Sequence, residues 1–171
     1  MRRLFWRLFF PFFYLVLRVA DPFLVRWTAR RGLGNTVELA VIGRRSGIVR
    51  TVLVGLLSVG ETHYLGHANG RAKWTHNLVA AGRGELRVDG GAPLPFSIVP
   101  VPAGPERDAV VAAAGRQHPF PADLAYRVAA RQIRAEGRFF RLEPADGAVI
   151  PLPAAAARHD AGRSARDREP A

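Results

Sequence analysis

Gly43-Arg44-Arg45-Ser46-Gly47, with Arg50-Thr51 just beyond, is the stretch whose residue types and spacing carry the most chemistry. Glycine lets a backbone turn tightly and lets a ligand approach it closely. Arginine forks onto phosphate or carboxylate oxygens with paired N–H donors. Three arginines gathered on one turn therefore make a candidate seat for the anionic end of a cofactor. The plainer alternative is a solvated hairpin tip, where arginine is ordinary.

Other catalytic arrangements are poorly served. There is no cysteine, so disulfides, thiolate metal sites and a cysteine nucleophile are excluded. Ser46 lacks the strand-to-helix elbow that exposes a hydrolase nucleophile, because Arg45-Ser46-Gly47 lies between two strand-like runs. The five histidines show no metal-ligand spacing. His63 and His67 share one face of a strand but sit about 13 Å apart along it, and read as polar barrel residues.

The composition is that of one globular domain: 171 residues, 49% hydrophobic. Net charge is +11, and Lys73 is the only lysine. Arginine in place of lysine, with abundant Ala, Gly and Pro, reads as GC-rich coding, so part of the charge carries no functional message. The remainder favours an anionic partner. Nucleic acid is not expected, since no helix-turn-helix, metal finger or aromatic ribonucleoprotein motif is present.

Residues 1–31 form a separate segment. The apolar run from Leu8 to Leu17 is too short for a spanning helix, which needs about 20 residues, and Pro11 interrupts it. Arg2, Arg3, Arg7 and Arg18 punctuate Phe- and Trp-rich sequence, as in a helix lying on an anionic membrane surface. A helix packed on the core or on a dimer partner is the alternative, with a signal peptide behind it because Val19-Ala20-Asp21-Pro22 makes a poor cleavage site.

The elements that must position the basic turn follow. Thr36–Ile42 and Thr51–Leu57 read as the strands flanking it, and Glu61–His67 as a third. Lys73–Ala81 reads as a helix with Trp74, Leu78 and Ala81 on one face. Glu85–Val88 and Leu94–Val101 are strands, the latter at an edge or bulge because of Pro95. Helices are expected over 104–117 and 121–135, and a last strand over 137–144. Residues 151–171 lack periodicity and are expected to be a disordered tail. The fold class is α+β: an antiparallel barrel over 32–150 with flanking helices and the apolar N-terminal helix.

The run from Val37 to Leu142 resembles the deazaflavin-dependent nitroreductase family, flavin and deazaflavin oxidoreductases on a split β-barrel. The resemblance rests on Gly43-Arg44-Arg45-Ser46-Gly47, Arg50-Thr51, Trp74-Thr75-His76-Asn77-Leu78 and Ala80-Ala81-Gly82-Arg83-Gly84-Glu85-Leu86-Arg87, in that order. It implies a site for coenzyme F-420, which carries a phosphate and a polyglutamate tail. Arg44, Arg45 and Arg50 would supply charge to that tail, Ser46 and Gly47 hydroxyl and backbone donors beside Thr51, and Trp74 and Asn77 the shape of the groove. For Trp74 a core anchor is an equal alternative. The chain departs from the family in Val52-Leu53-Val54, where many members have a proline, and in its short loop from Ala68 to Lys73.

The activity so implied is transfer of a hydride from reduced deazaflavin to a planar, electron-poor small molecule: a quinone, an enone or a nitroaromatic. The family's substrate-facing tyrosines fall in a region that here offers His118, Phe120 and Tyr126. The expected setting is the cytoplasm, peripheral on the inner face of the cell membrane, with homodimers common on such barrels. The alternatives are an FMN- or heme-binding split barrel and a non-catalytic carrier of the cofactor at the membrane surface.

Overall fold

The computed structural model describes residues 34–118, 122–154 and 156. The chain divides between Arg31 and Gly32. The expected N-terminal membrane helix, Phe120 and residues 157–171 lie outside the described residues.

Six antiparallel strands close into a barrel in the order β1-β2-β3-β6-β5-β4. They are β1 Thr36–Ile42, β2 Val49–Val59, β3 Thr62–His67, β4 Arg83–Arg87, β5 Leu94–Pro100 and β6 Arg138–Pro144. In β1, Val37, Leu39 and Val41 alternate inward while the residues between them are half-buried or exposed, the period-two pattern of a strand with one wet face. These three meet Leu56, Leu65 and Phe140 from other strands inside the barrel. Each fully buried Leu or Phe there contributes about 1.5–3 kcal/mol.

The strand expected at an edge because of Pro95 pairs on both sides, since β5 lies between β4 and β6 in a closed barrel. The proline is tolerated because pairing is locally one-sided. Pro95 lies opposite Glu85 of β4, whereas the ladder with β6 begins only at Phe96 opposite Pro144.

Four helices complete the described fold: α1 Lys73–Ala81, α2 Pro105–Gln117, α3 Ala122–Val128 and α4 Ala130–Glu136. The single helix expected over 121–135 is thus two, separated at Ala129, where φ −99° and ψ 15° leave helical geometry. Neither Gly nor Pro marks this break. Helices α2 to α4 cover the outer face of β2, β3 and β6, where Leu57, Tyr64 and Phe139 pack with Val110, Val111 and Ile133. Two glycines permit this layer. A Cβ on Gly66 would run into the Phe139 ring on the neighbouring strand, and one on Gly55 into the His118 imidazole.

The start of the expected tail is fastened. Ile150 and Pro153 are buried, and the Ala154 N–H donates to Asp89 Oδ2 at 2.8 Å.

Candidate anion-binding site at the basic turn

The basic cluster occupies the tip of the β1–β2 hairpin, whose last rung pairs Ile42 with Val49. The tip is internally braced. Gly43 N–H donates to Ile48 O at 2.9 Å and Gly47 N–H to Gly43 O at 2.8 Å. Gly47 has φ 65°, a conformation glycine adopts without Cβ strain. At Gly43 a Cβ would lie 2.7 Å from Ser46 Oγ and 3.1 Å from Ile48 O, so a side chain there would displace the serine hydroxyl. The donor expected from Gly47 is therefore spent within the turn, and that residue contributes conformation instead. Ser46 Oγ accepts the Ile48 N–H at 3.4 Å, which leaves its own hydroxyl proton to donate outward.

Arg44, Arg45, Arg50 and Thr51 are exposed. None of the three arginines forms an ion pair among the described residues. Beside them are Ile42, 45% exposed, and Ile48 and Val49, each 58% exposed. The tip therefore offers uncompensated positive charge next to apolar surface.

Helix α1 joins the turn to the barrel. The Arg44 N–H donates to Asn77 Oδ1 at 3.3 Å, across 33 residues of sequence. This bond connects the two motifs that the sequence holds apart. It also gives the mid-helix asparagine a hydrogen-bonding role, which offsets its low helix propensity. On the inner side of α1, Leu78 and Thr75 are buried. Trp74 is half-buried and edge-on to Phe140 at 6.3 Å and to His67 at 6.1 Å. It anchors the helix on the core. Burial lowers the pKa of His67, opposed by its bond to the Asn69 backbone.

His118 and Tyr126 come together, with ring centroids 4.8 Å apart and planes 34° apart. They do not join the basic turn. His118 packs on Gly55 of β2, five residues beyond Arg50 and so about 17 Å along an extended strand. Burial takes the His118 imidazole down from 6.5 to about 4, with Asp123 pulling the other way. Burial likewise pushes the Tyr126 phenol well above its ordinary value.

Several polar clusters had no local sequence signal. Gln117 clasps the backbone of Ser58, accepting its N–H at 2.9 Å and donating to its carbonyl at 2.7 Å. Ser58 Oγ and His63 Nδ1 lie 3.0 Å apart across the β2–β3 pair. Glu106 receives both the Tyr64 hydroxyl at 3.1 Å and Arg141 at 3.0 Å. The Gln117 and Glu106 clusters depend on partners 35 or more residues away, which only the packing of α2 on the barrel creates, whereas Ser58 and His63 face each other across a short hairpin. No group of three or more acidic or histidine side chains could hold a metal among the described residues, and no helix there is long and apolar enough to cross a membrane.

A closed six-stranded antiparallel barrel with helices against its flank is an α+β split β-barrel. No protein-family model and no curated protein matches the sequence. Among solved structures, a conserved hypothetical protein from Mycobacterium tuberculosis is similar at 14% identity and TM-score 0.50, over 71% of this chain and 79% of that one. An F-420-H2-dependent reductase, FDR-A, is similar at 16% identity and TM-score 0.48, over 64% of this chain and 94% of that one. The heme storage protein HutZ from Vibrio cholerae is similar at 15% identity and TM-score 0.47, over 74% and 93%. At such identities the likeness is one of fold.

Proposed function

We propose that this chain is an F-420-dependent oxidoreductase whose basic turn holds the anionic end of the cofactor. The observation that carries this reading is the bond from the Arg44 N–H to Asn77 Oδ1. It unites the two sequence motifs on which the deazaflavin resemblance rests. The site's chemistry fits the group. Phosphate and glutamate carboxylates suit Arg44, Arg45 and Arg50, which lack ion-pair partners among the described residues, and the Ser46 hydroxyl beside them. The exposed Ile42, Ile48 and Val49 give apolar surface for a planar ring system next to that charge.

When bound, reduced F-420 supplies two electrons to a planar, electron-poor acceptor such as a quinone, an enone or a nitroaromatic. The protein's own part is positioning. The braced turn fixes the arginines, Asn77 ties the turn to α1, and Trp74 ties α1 to the core. No side chain is required as a nucleophile. His118 and Tyr126 have no part in tail binding in this reading. The arginine-dotted residues 1–31 would hold the domain on an anionic membrane surface, near lipophilic quinones.

The test is a fluorescence titration of the full chain with F-420 at low and high salt, with FMN and heme titrated alongside. Saturable F-420 binding that weakens with salt supports the reading. A folded protein that ignores F-420 at tens of micromolar but takes up FMN or heme overturns it in favour of that cofactor.

A further inference from the structure

The basic turn does not stand alone on its side of α1. Asn77 reaches the turn through its side chain, so the helix face bearing Asn77 is the face toward the turn. Residues four apart in a helix share a face and lie about 6 Å apart. Lys73, four residues before Asn77, is therefore the next side chain along that face. It is exposed and forms no ion pair among the described residues. The first turn of α1 contains no acidic residue that could neutralise it locally. A lysine stem spans a further ~6 Å, so its ammonium can meet an anionic group lying along α1, beyond the one held beside Arg44.

We propose that Lys73 is a further ligand-binding residue of this site, and that the anionic chain runs from the arginines of the turn along α1 to Lys73. The proposal rests on the reading of the turn as an anion seat and extends it. A single phosphate would satisfy the arginines, whereas Lys73 is reached only by a ligand with a second anionic group farther along. The site is thereby specified for a polyanionic tail rather than for one phosphate. FMN, with one phosphate, would engage the turn and leave Lys73 idle.

The experiment uses the full chain and two probes: F-420, and the same deazaflavin lacking phosphate and glutamates. Lys73→Ala is expected to weaken F-420 binding about fivefold at low salt, as loss of one solvent-exposed ion pair does. It should reduce the salt dependence and leave binding of the tail-free probe unchanged. Lys73→Arg should restore affinity and Lys73→Glu should lower it further, all with unaltered thermal unfolding. A purely structural role for Lys73 would instead shift unfolding and affect both probes. Because Lys73 is the only lysine, amine acylation read by mass spectrometry gives a second readout, in which F-420 should protect it. Wild-type affinity in Lys73→Ala, with binding lost in Arg45→Ala/Arg50→Ala, overturns the role of Lys73 and leaves the arginine seat standing. No F-420 binding by the folded wild type overturns both.

Discussion

Arginines in two regions of this barrel meet opposite fates. On the face covered by α2 to α4, Arg107, Arg127, Arg134 and Arg141 have tasks inside the protein, whereas Arg116 and Arg131 have no partner among the described residues. Arg107 donates to the Val101 and Arg134 carbonyls. Arg141 bonds Glu106, Arg134 pairs with Asp108, and Arg127 pairs with Asp123 one helical turn away. At the β1–β2 tip, Arg44, Arg45 and Arg50 have no acidic partner among the described residues. Charge spent internally fastens helices, whereas charge left open on the turn is available to a ligand. Total charge alone, +11, does not separate the two.

The comparison can be pressed first through pH, which should act on the helix side and spare the tip. Folded His118 is protonated only near pH 4, against 6.5 when unfolded. Between those values the unfolded chain binds the extra proton. Stability is therefore complete above pH 6.5 and falls as pH drops toward 4, by up to about 3 kcal/mol for this group. Denaturant melts across that range should show the slope, and His118→Gln should reduce it. A remainder is expected from His63 and His67, which burial also lowers. An unchanged slope in the variant would remove His118 from the account.

Arg45→Ala/Arg50→Ala presses the other side. Removing two charge-assisted hydrogen-bond donors should weaken F-420 binding about 100-fold, while unfolding shifts by less than about 0.5 kcal/mol, as for surface sites. A large loss of stability would mean that these arginines are structural after all. Glu106→Ala is the mirror experiment. It should cost about 1 kcal/mol and leave F-420 affinity untouched, because the carboxylate and Arg141 are 36% and 37% exposed and screening discounts their attraction. Part of that loss comes from Tyr64, whose hydroxyl loses its bond to Glu106.

How much of this was legible in the sequence follows from the range of the interactions. Thr36–Ile42 and Lys73–Ala81 read correctly to the residue, because period-two and helical patterning are local. The basic turn was visible from Gly43, Arg44, Arg45, Ser46 and Gly47, since turn chemistry is local too. The break at Ala129 was not, for no breaker marks it and only packing on α2 chooses the two directions. Nor was the Gly47 N–H legible as occupied, because its acceptor depends on how the turn closes. Glu106, Gln117 and His118 find partners 35 or more residues away, which a linear reading cannot pair. The separation of His118 and Tyr126 from the basic turn follows likewise from where α2 ends against β2.

Asn77 lies where the two uses of polarity meet, and it should give the smallest effect. Its carbonyl accepts the Arg44 N–H in an exposed bond of 3.3 Å, long enough that its net contribution lies at the low end of about 0.5–1.5 kcal/mol. Alanine is the better helix former, which offsets part of that loss. Asn77→Ala should therefore leave unfolding within about 0.5 kcal/mol of wild type. Affinity for F-420 should still fall about threefold, because the turn loses its tether and must be ordered by the ligand. Asn77→Asp keeps the acceptor but sets a carboxylate beside the arginines, so it should preserve the tether and weaken F-420 more than alanine does, with the excess shrinking in high salt. If aspartate and alanine weakened binding equally at all salt concentrations, Asn77 would act on the helix alone, and the turn and α1 would be two sites rather than one.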